Sequence, residues 1–256
     1  FRVVPTDIAE LDLTDPVAVK EAFGRYAPDF VVNCSGYTAV DKAESQPELA
    51  RELNAVAVGR LAQCCDETGA LFIHISTDYV FDGRKEEPYT EEDRPDPQGV
   101  YGLTKREGEE LALRYPCTVV LRTAWLYSPF GANFVKTMLR LGAEREEIGV
   151  VSDQFGSPTY AHDLAEAIVR IVRRCVGESD PFRYRGIYHF SNEGCCSWHG
   201  FAEEIMRQRG LSCRVKPITT REYGAVAARP AHSLLSKEKI KKTFGITPPQ
   251  WQESLS

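Results

Sequence analysis

The chain lacks the usual markers of several protein classes. It has no run of about 18 apolar residues, so the sequence predicts no membrane-spanning helix. No signal peptide is recognisable. The net charge of -6 at pH 7 argues against a nucleic-acid-binding protein, because such proteins neutralise phosphates with lysine and arginine. With 256 residues, of which 43% are hydrophobic, the chain can bury a large core, and its composition predicts a cytoplasmic enzyme.

Metal-binding patterns are also missing. None of the 8 cysteines falls in C-x-x-C spacing, and the adjacent pairs Cys64-Cys65 and Cys195-Cys196 cannot form paired zinc knuckles. The 5 histidines are scattered and show no ligand spacing. The sequence therefore predicts buried, reduced thiols and shows no metal-ligand pattern, while a metal at a subunit interface stays open. It assigns no histidine a catalytic role.

Short apolar runs alternate with helical patterns in the first half of the chain. The runs Phe30 to Asn33, Leu71 to Ile75 and Thr118 to Leu121 are typical of buried strands. Pro47 to Cys65 and Tyr101 to Arg114 have helical periodicity. In the first of these helices, one predicted apolar stripe consists of Leu49, Leu53, Val56, Ala57 and Leu61. This alternation predicts β-α-β units and a doubly wound parallel sheet, whose ligands gather at the carboxyl ends of its strands.

The second half is less regular. Helices are predicted at Asn133 to Glu144, Tyr160 to Cys175 and Trp198 to Gln208, and strands at Gly186 to Phe190 and Arg214 to Ile218. No low-complexity linker separates this half from the first.

Three residues together suggest proton-transfer chemistry. Tyr101 and Lys105 are four residues apart on a predicted helix, so they project from one face. A phenol titrates near pH 10 and needs a fixed positive charge to act at neutral pH, which Lys105 can supply. Thr77, at the end of a predicted strand, can donate a hydrogen bond to the same carbonyl oxygen. The spacing of Tyr101 and Lys105 taken alone is more typical of a solvated helix face than of a catalytic pair.

Several longer motifs carry a resemblance to a known family. They occur in the same order as in the extended short-chain dehydrogenase/reductase superfamily, and within it they most resemble the dTDP-4-dehydrorhamnose reductases. The similarity runs over nearly the whole chain. The motifs are N-C-S-G-Y-T-A-V-D-K-A-E-S at 33 to 45, S-T-D-Y-V-F-D-G at 76 to 83, Y-G-L-T-K at 101 to 105, R-T-A-W-L-Y at 122 to 127, and D-Q-F-G-S-P-T at 153 to 159.

The resemblance implies a fold and a division of labour along the chain. Residues 1 to 125 are expected to form a Rossmann-type dinucleotide-binding domain, and residues 126 to 256 mostly a smaller α/β substrate-binding domain. A helix at about 160 to 176 is expected to return to the first sheet. The implied reaction is the NAD(P)H-dependent reduction of a nucleotide-linked 4-keto sugar, namely dTDP-4-dehydro-L-rhamnose, to dTDP-L-rhamnose.

One element of the family pattern is missing. The family places a glycine-rich turn and a helix after its first strand, where backbone N–H groups meet the cofactor's pyrophosphate. Here Phe1 to Pro5 already fits the second strand, so we expect about 25 further residues upstream. Asp7, just after that strand, is expected to accept hydrogen bonds from the adenosine ribose and to repel a 2′-phosphate. NADH is therefore expected to be at least tolerated and to be preferred over NADPH, with NADPH as the other possible cofactor.

The resemblance also implies roles for individual residues. Thr77, Tyr101 and Lys105 are the expected catalytic residues, with Lys105 also holding the nicotinamide ribose. Asp78 and Trp125, together with Thr77, are expected to contact the sugar. Arg229 is a weaker candidate for the substrate diphosphate, since a solvated loop arginine explains it equally well. The expected cofactor-binding residues are Asp7, Asp12, Leu13, Gly36, Tyr37, Thr38, Tyr101 and Lys105.

Alternatives remain open at this stage. Nucleotide-sugar dehydratases carry an Asp-Glu pair after the threonine, and here Tyr79 takes the second position, which favours simple reduction over elimination. An epimerase, a reductase of another nucleotide sugar and a non-catalytic regulatory subunit are each compatible with the motifs. The oligomeric state, including a homodimer, is not fixed by the sequence, and no nucleic-acid or membrane partner is expected.

Overall fold

The structure, a computed structural model, describes residues 1–176 and 178–256. Its contacts divide the chain into two compact units. The first unit consists of Phe1–Ser76, Gly99–Leu121 and Cys175–Ile187. The second consists of Thr77–Gln98, Arg122–Arg174 and Tyr188–Ser256.

A four-stranded sheet organises the fold. Its strands are β1 Phe30–Asn33, β2 Leu71–Thr77, β3 Thr118–Thr123 and β8 Gly186–His189, in the order β1-β2-β3-β8. β1 and β2 are parallel, and Asn33 pairs with His74 at the carboxyl end of β1. The predicted α/β class with a parallel sheet is confirmed.

Helices connect the strands and supply the core of the first unit. Three helices, α1 (Pro16–Tyr26), α4 (Ala57–Thr68) and α5 (Val100–Ala112), contribute to a buried cluster with Phe72 of β2. The cluster includes Val19, Val58, Leu61 and Ala112. Asp15 caps α1 by accepting hydrogen bonds from the backbone N–H groups of Val17 and Ala18. The helices are α1 Pro16–Tyr26, α2 Val40–Ala43, α3 Pro47–Arg51, α4 Ala57–Thr68 and α5 Val100–Ala112, with a 3₁₀ turn at Pro181–Tyr184.

The helix predicted from Pro47 to Cys65 contains a π turn at Glu52–Val56 between α3 and α4. A π turn inserts one residue and rotates the following side chains around the axis. The predicted stripe is therefore wrong before the turn, where Leu49 is 46% exposed and Ala50 is buried. It is right after the turn, where Leu61 is buried.

The strand predicted at Phe1 to Pro5 is wrong. Residues 1 to 7 have extended or irregular backbone without strand pairing, and Phe1 and Val3 are mostly exposed. Within the described residues, β1 is an edge strand hydrogen-bonded only to β2. An apolar segment becomes a strand only where a ladder partner takes up its backbone groups.

The second unit combines short strand pairs with helices. Two pairs are parallel: β5 (Glu147–Val151) with β10 (Arg214–Ile218), and β4 (Leu126–Tyr127) with β7 (Thr159–Tyr160). The third pair, β6 (Phe155–Gly156) with β9 (Cys196–Ser197), is antiparallel. Met138, Ile148, Phe201, Ile205 and Trp251 lie in its main core cluster. Its helices are α6 Phe134–Glu144, α7 Ala161–Val176, α8 Trp198–Arg209, α9 Thr220–Tyr223, α10 Glu238–Phe244 and α11 Trp251–Ser254, with a 3₁₀ turn at Asp78–Val80. The last two residues of α7 are assigned to the first unit.

The helices predicted in the second half are present, with bounds shifted by a residue or two. Among residues 1–176 and 178–256, none of the helices has the length and apolar character needed to cross a membrane.

Candidate active site

Helix α5 carries two of the predicted catalytic residues. Its first N–H group, that of Val100, donates a hydrogen bond to the Glu44 carboxylate at 2.9 Å, which satisfies one of the free donors at the helix start. Tyr101 is half-buried and Lys105, one turn later, is buried. Spacing and sequence alone allowed a solvated face, but the burial of Lys105 excludes that reading for the lysine.

The Lys105 amino group lies against strand β2. Its Nζ donates a hydrogen bond to the Ile75 carbonyl oxygen at 2.6 Å and lies 3.3 Å from His74 Nε2. Burial lowers the pKa of Lys105 to about 8, and the charge of Glu109 opposes that shift. A lysine so placed favours a nearby phenolate and changes its own charge close to neutral pH.

Asn54 connects this helix to the loop that follows β1. The amide lies in the π turn and is fully buried. Its Oδ1 accepts a hydrogen bond from the Tyr37 N–H at 2.8 Å, and its Nδ2 donates to the Tyr37 carbonyl oxygen and to Thr104 Oγ1. Sequence reasoning missed Asn54. The available signal was a polar residue in the middle of a buried helix pattern, since such a residue needs partners.

The loop after β1 approaches Lys105 closely at Gly36. A Cβ atom on Gly36 would lie 2.9 Å from Asn54 Oδ1 and 3.9 Å from Lys105 Nζ. Tyr37 is half-buried, with its hydroxyl donating to Gln46 Oε1 at 2.6 Å, and Thr38 is exposed. The structure thus brings Gly36 and Tyr37, predicted to contact the cofactor, to the predicted catalytic lysine.

The other predicted cofactor residues lie in the amino-terminal segment. Asp7 is exposed and does not follow a strand, so the reason given for its role is not met. The Asp12 carboxylate accepts hydrogen bonds from the Thr14 hydroxyl and N–H, which lower its pKa. The Leu13 carbonyl oxygen accepts a hydrogen bond from Arg60 Nη1 at 2.7 Å. Cofactor contacts by Asp7, Asp12 and Leu13 stay predictions.

Thr77 and Asp78 open the second unit. Thr77 Oγ1 donates to Asp78 Oδ1 at 3.1 Å and accepts from the Tyr79 N–H at 3.3 Å. Asp78 is 2% exposed, and burial raises its pKa to about 6 against the opposing effect of the Ser233 hydroxyl. No hydrogen bond of good geometry reaches its Oδ2 from the described residues.

Trp125 has a strained backbone. Its φ of 50° lies in the left-handed region, which tryptophan rarely adopts and which is concentrated at functional sites. The indole stacks on Trp198, with ring centroids 3.6 Å apart and an interplanar angle of 10°. A Cβ atom on Gly156 would lie 2.9 Å from the Trp125 ring, so only glycine leaves room for the indole at this position.

The predicted site residues are divided between the units. The first unit contains Asp7, Asp12, Leu13, Gly36, Tyr37, Thr38, Tyr101 and Lys105. The second contains Thr77, Asp78 and Trp125.

Comparison with known proteins decides the family. The sequence matches the family described as "RmlD substrate binding domain" over residues 1–256. The chain belongs to this family. The resemblance noted in the sequence is confirmed.

Several relatives align with this chain over most of its length. A dTDP-4-dehydrorhamnose reductase of Aggregatibacter actinomycetemcomitans is 41% identical over 263 residues, covering 100% of this chain and 88% of its own. The spore coat polysaccharide biosynthesis protein SpsK of Bacillus subtilis is 42% identical, covering 100% of this chain and 87% of its own. A crystal structure of the dTDP-4-dehydrorhamnose reductase of Bacillus anthracis in complex with NADP is 39% identical, with a TM-score of 0.93, covering 98% of this chain and 87% of that one. This likeness confirms the predicted Rossmann-type fold class.

Proposed function

We propose that the chain reduces the 4-keto group of dTDP-4-dehydro-L-rhamnose to give dTDP-L-rhamnose, with NADPH or NADH as the reductant. Two relatives named dTDP-4-dehydrorhamnose reductase, one of them solved in complex with NADP, align with almost the whole chain at about 40% identity. The observation that carries the chemistry is the burial of Lys105, 4% exposed, one helical turn after Tyr101. Lysine is rarely buried unless its charge has a partner or a function in a site.

The chain's own residues fit a nicotinamide cofactor. A Cβ atom on Gly36 would meet the Asn54 side chain, so only glycine lets the loop after β1 come this close to Asn54 and Lys105. We assign Gly36, Tyr37, Thr38 and Lys105 to the ribose and nicotinamide side, and Asp12 and Leu13 to the adenine side. When bound, the cofactor supplies the hydride that reaches C4 of the sugar.

Tyr101 donates the proton that completes the reduction. As the C4 oxygen gains negative charge, the Tyr101 hydroxyl transfers its proton to that oxygen, and the positive charge of Lys105 stabilises the phenolate left behind. Thr77 Oγ1 donates a hydrogen bond to the same oxygen. General acid catalysis of this kind contributes roughly 10²- to 10⁴-fold to the rate.

Asp78 and Trp125 hold the sugar ring. The Asp78 Oδ2 atom, buried and without a hydrogen bond from the described residues, accepts a sugar hydroxyl. The Trp125 indole, fixed by stacking on Trp198, packs against the ring and limits hydride delivery to one face. Tyr79 leaves no second carboxylate beside Asp78 for elimination, which favours a reductase over a dehydratase.

The free cysteines fit a reducing compartment. All 8 cysteines are unpaired, and the exposed Cys34 and Cys195 are among them. Reduced thiols persist in the cytoplasm, so we place the enzyme there. We also propose that it forms a homodimer, which sedimentation of the purified protein would test.

The decisive experiment supplies the purified protein with the 4-keto sugar nucleotide and either NADPH or NADH. We expect cofactor oxidation with both and a product identified by NMR as dTDP-L-rhamnose. A product with the opposite configuration at C4 would indicate a different reductase. Absence of cofactor oxidation, with retained nucleotide binding, would indicate a regulatory subunit.

A further inference from the structure

Three buried side chains of the first unit form a polar chain that ends at Lys105. Asn33 and His74 face each other across the parallel pair β1 and β2, and Asn33 Nδ2 lies 3.2 Å from His74 Nδ1. His74 Nε2 in turn lies 3.3 Å from Lys105 Nζ. Asn33 is 5% exposed and His74 is fully buried, so their polar atoms need hydrogen-bond partners within the protein.

The backbone fixes the orientation of the Asn33 amide. Asn33 Oδ1 accepts hydrogen bonds from the Ser35 N–H at 3.0 Å and from the Ser35 hydroxyl at 2.6 Å. A backbone N–H can only donate, so the oxygen of the amide must face Ser35 and the nitrogen must face His74. Asn33 Nδ2 therefore donates to His74 Nδ1, which must be an unprotonated acceptor.

This orientation selects the tautomer of His74. Burial, reinforced by the charge of Lys105, lowers the pKa of His74 well below its ordinary value, so the ring is neutral. A neutral imidazole carries one proton. With Nδ1 accepting from Asn33, that proton resides on Nε2 and points to Lys105 Nζ.

An N–H group that points to Lys105 favours the amine over the ammonium. The amine has a lone pair to accept the Nε2–H hydrogen bond while it donates to the Ile75 carbonyl oxygen at 2.6 Å, whereas the ammonium offers only donors. Two other titratable groups act on Lys105: Glu109 on its own helix and Cys34 after β1 both favour the ammonium. The direction of the tautomer effect agrees with the lowered pKa of the lysine.

We propose that Asn33 and His74 are positioning residues that set the protonation equilibrium of Lys105 through the His74 tautomer. This inference rests on the proposed function, in which Tyr101 is the proton donor. After Tyr101 has given its proton to the C4 oxygen, Lys105 gives one proton to the phenolate oxygen and becomes the amine that accepts from His74 Nε2–H. A solvent proton then restores the ammonium, and no other bond changes.

The substitution Asn33→Asp tests the tautomer directly. One carboxylate oxygen keeps the two hydrogen bonds from Ser35, while the other can only accept, so it requires the proton on His74 Nδ1. Nε2 then becomes an acceptor for the Lys105 ammonium. We expect the pKa of Lys105 to rise by about one unit or more and the basic limb of the kcat profile to move upward with it.

Two measurements without substrate decide the inference. Nitrogen NMR of labelled His74 reads the tautomer, and a carbon titration of Lys105 Cε reads its pKa. We expect the Nε2–H form in the wild type and the Nδ1–H form in Asn33→Asp. An Nδ1–H wild type, or a shift in the pKa without a change of tautomer, would overturn the inference, because the added charge alone would then explain the shift.

Thr104→Val is the matched control. Thr104 lies next to Lys105 on α5 and accepts a buried hydrogen bond from Asn54 Nδ2, which the substitution removes. Neither Asn33 nor His74 is touched, so the His74 tautomer and the pKa of Lys105 should both stay as in the wild type. A shift of that pKa in the control would attribute the effect to helix packing and contradict the inference. Failure of the wild type to oxidise either cofactor would instead contradict the proposed function, because the NMR readouts need no turnover.

Discussion

The α-carbon of Gly108 on helix α5 abuts the backbone carbonyl oxygen of Asn54 in the π turn, and a Cβ atom on Gly108 would overlap with that oxygen. Helix and turn can meet this closely only because residue 108 has no side chain. The same helix carries Tyr101 and Lys105, and Asn54 holds the Tyr37 loop. The contact therefore holds α5 close to the π turn, and through Asn54 it holds α5 close to the Tyr37 loop that we propose to face the cofactor.

We expect Gly108→Ala to destabilise the protein by about 1–3 kcal/mol, the usual cost of overpacking, and to weaken cofactor binding. Gly24→Ala on α1 is the matched control, since a Cβ atom there meets nothing within 4 Å. It should stabilise by roughly 0.5–1 kcal/mol, because alanine favours a helix. Urea denaturation measures both. Equal effects of the two substitutions would show that α5 can shift away from the π turn.

Tyr101→Phe keeps the ring and removes the proton. We expect kcat to fall roughly 10²- to 10⁴-fold, the range of general acid catalysis, with little change in cofactor affinity. Steady-state kinetics and cofactor titration by fluorescence measure the two quantities. Tyr223→Phe, at a residue 58% exposed on α9, should change neither. Near-normal turnover of Tyr101→Phe would remove this tyrosine from the proposed role.

The sequence was sufficient for the strand and helix pattern and for the family, but not for two kinds of feature. The strand expected at Phe1 to Pro5 needs a hydrogen-bonded neighbour, and no local pattern shows whether one exists. The π turn at Glu52–Val56 is set by packing of Asn54 against α5, so helical periodicity failed before it. Both depend on residues far away in the chain.

The buried polar partners of Lys105 could not be predicted from the sequence either. His74 stood in an apolar run and was assigned no chemistry, because its partner Asn33 lies 41 residues away. The register of β1 on β2 brings the two together. Tyr101 and Lys105, by contrast, are close in sequence, and their spacing on one helix was enough to single them out.

Trp125 offers a test that separates binding from backbone strain. We expect Trp125→Ala to raise KM and lower kcat, each by about tenfold or more, since the sugar loses contact area and alignment. Trp125→Gly should lose the same activity but exceed the alanine variant in stability by about 1 kcal/mol, because glycine adopts a φ of 50° without strain. Kinetics and thermal unfolding measure these effects. Equal stability of the two variants would mean that the left-handed backbone relaxes once the indole is gone.

The ionised Asp78 carboxylate is expected to lower the stability of the folded protein, because it is buried. Its pKa in the folded protein is raised to about 6, above the value of about 3.9 for an unfolded chain. The folded state therefore binds this proton more tightly. The contribution of Asp78 to stability is fully present below about pH 4 and is lost as the pH rises through 6. By linkage, the ionised carboxylate costs about 3 kcal/mol at pH 8.

We expect Asp78→Asn, which is neutral at every pH, to be more stable than the wild type at pH 8 and to lose that advantage at pH 4. Its turnover should fall, because a neutral amide oxygen accepts the sugar hydroxyl more weakly than a carboxylate does, and the amide nitrogen cannot accept at all. Urea denaturation at the two pH values measures the difference. Asp66→Asn, at an exposed residue of α4, should change stability by less than about 0.5 kcal/mol at either pH. An Asp78→Asn variant less stable than the wild type at pH 8 would show that the buried carboxylate is fully compensated by its neighbours, Thr77 and Ser233, and that its pKa is not raised by burial.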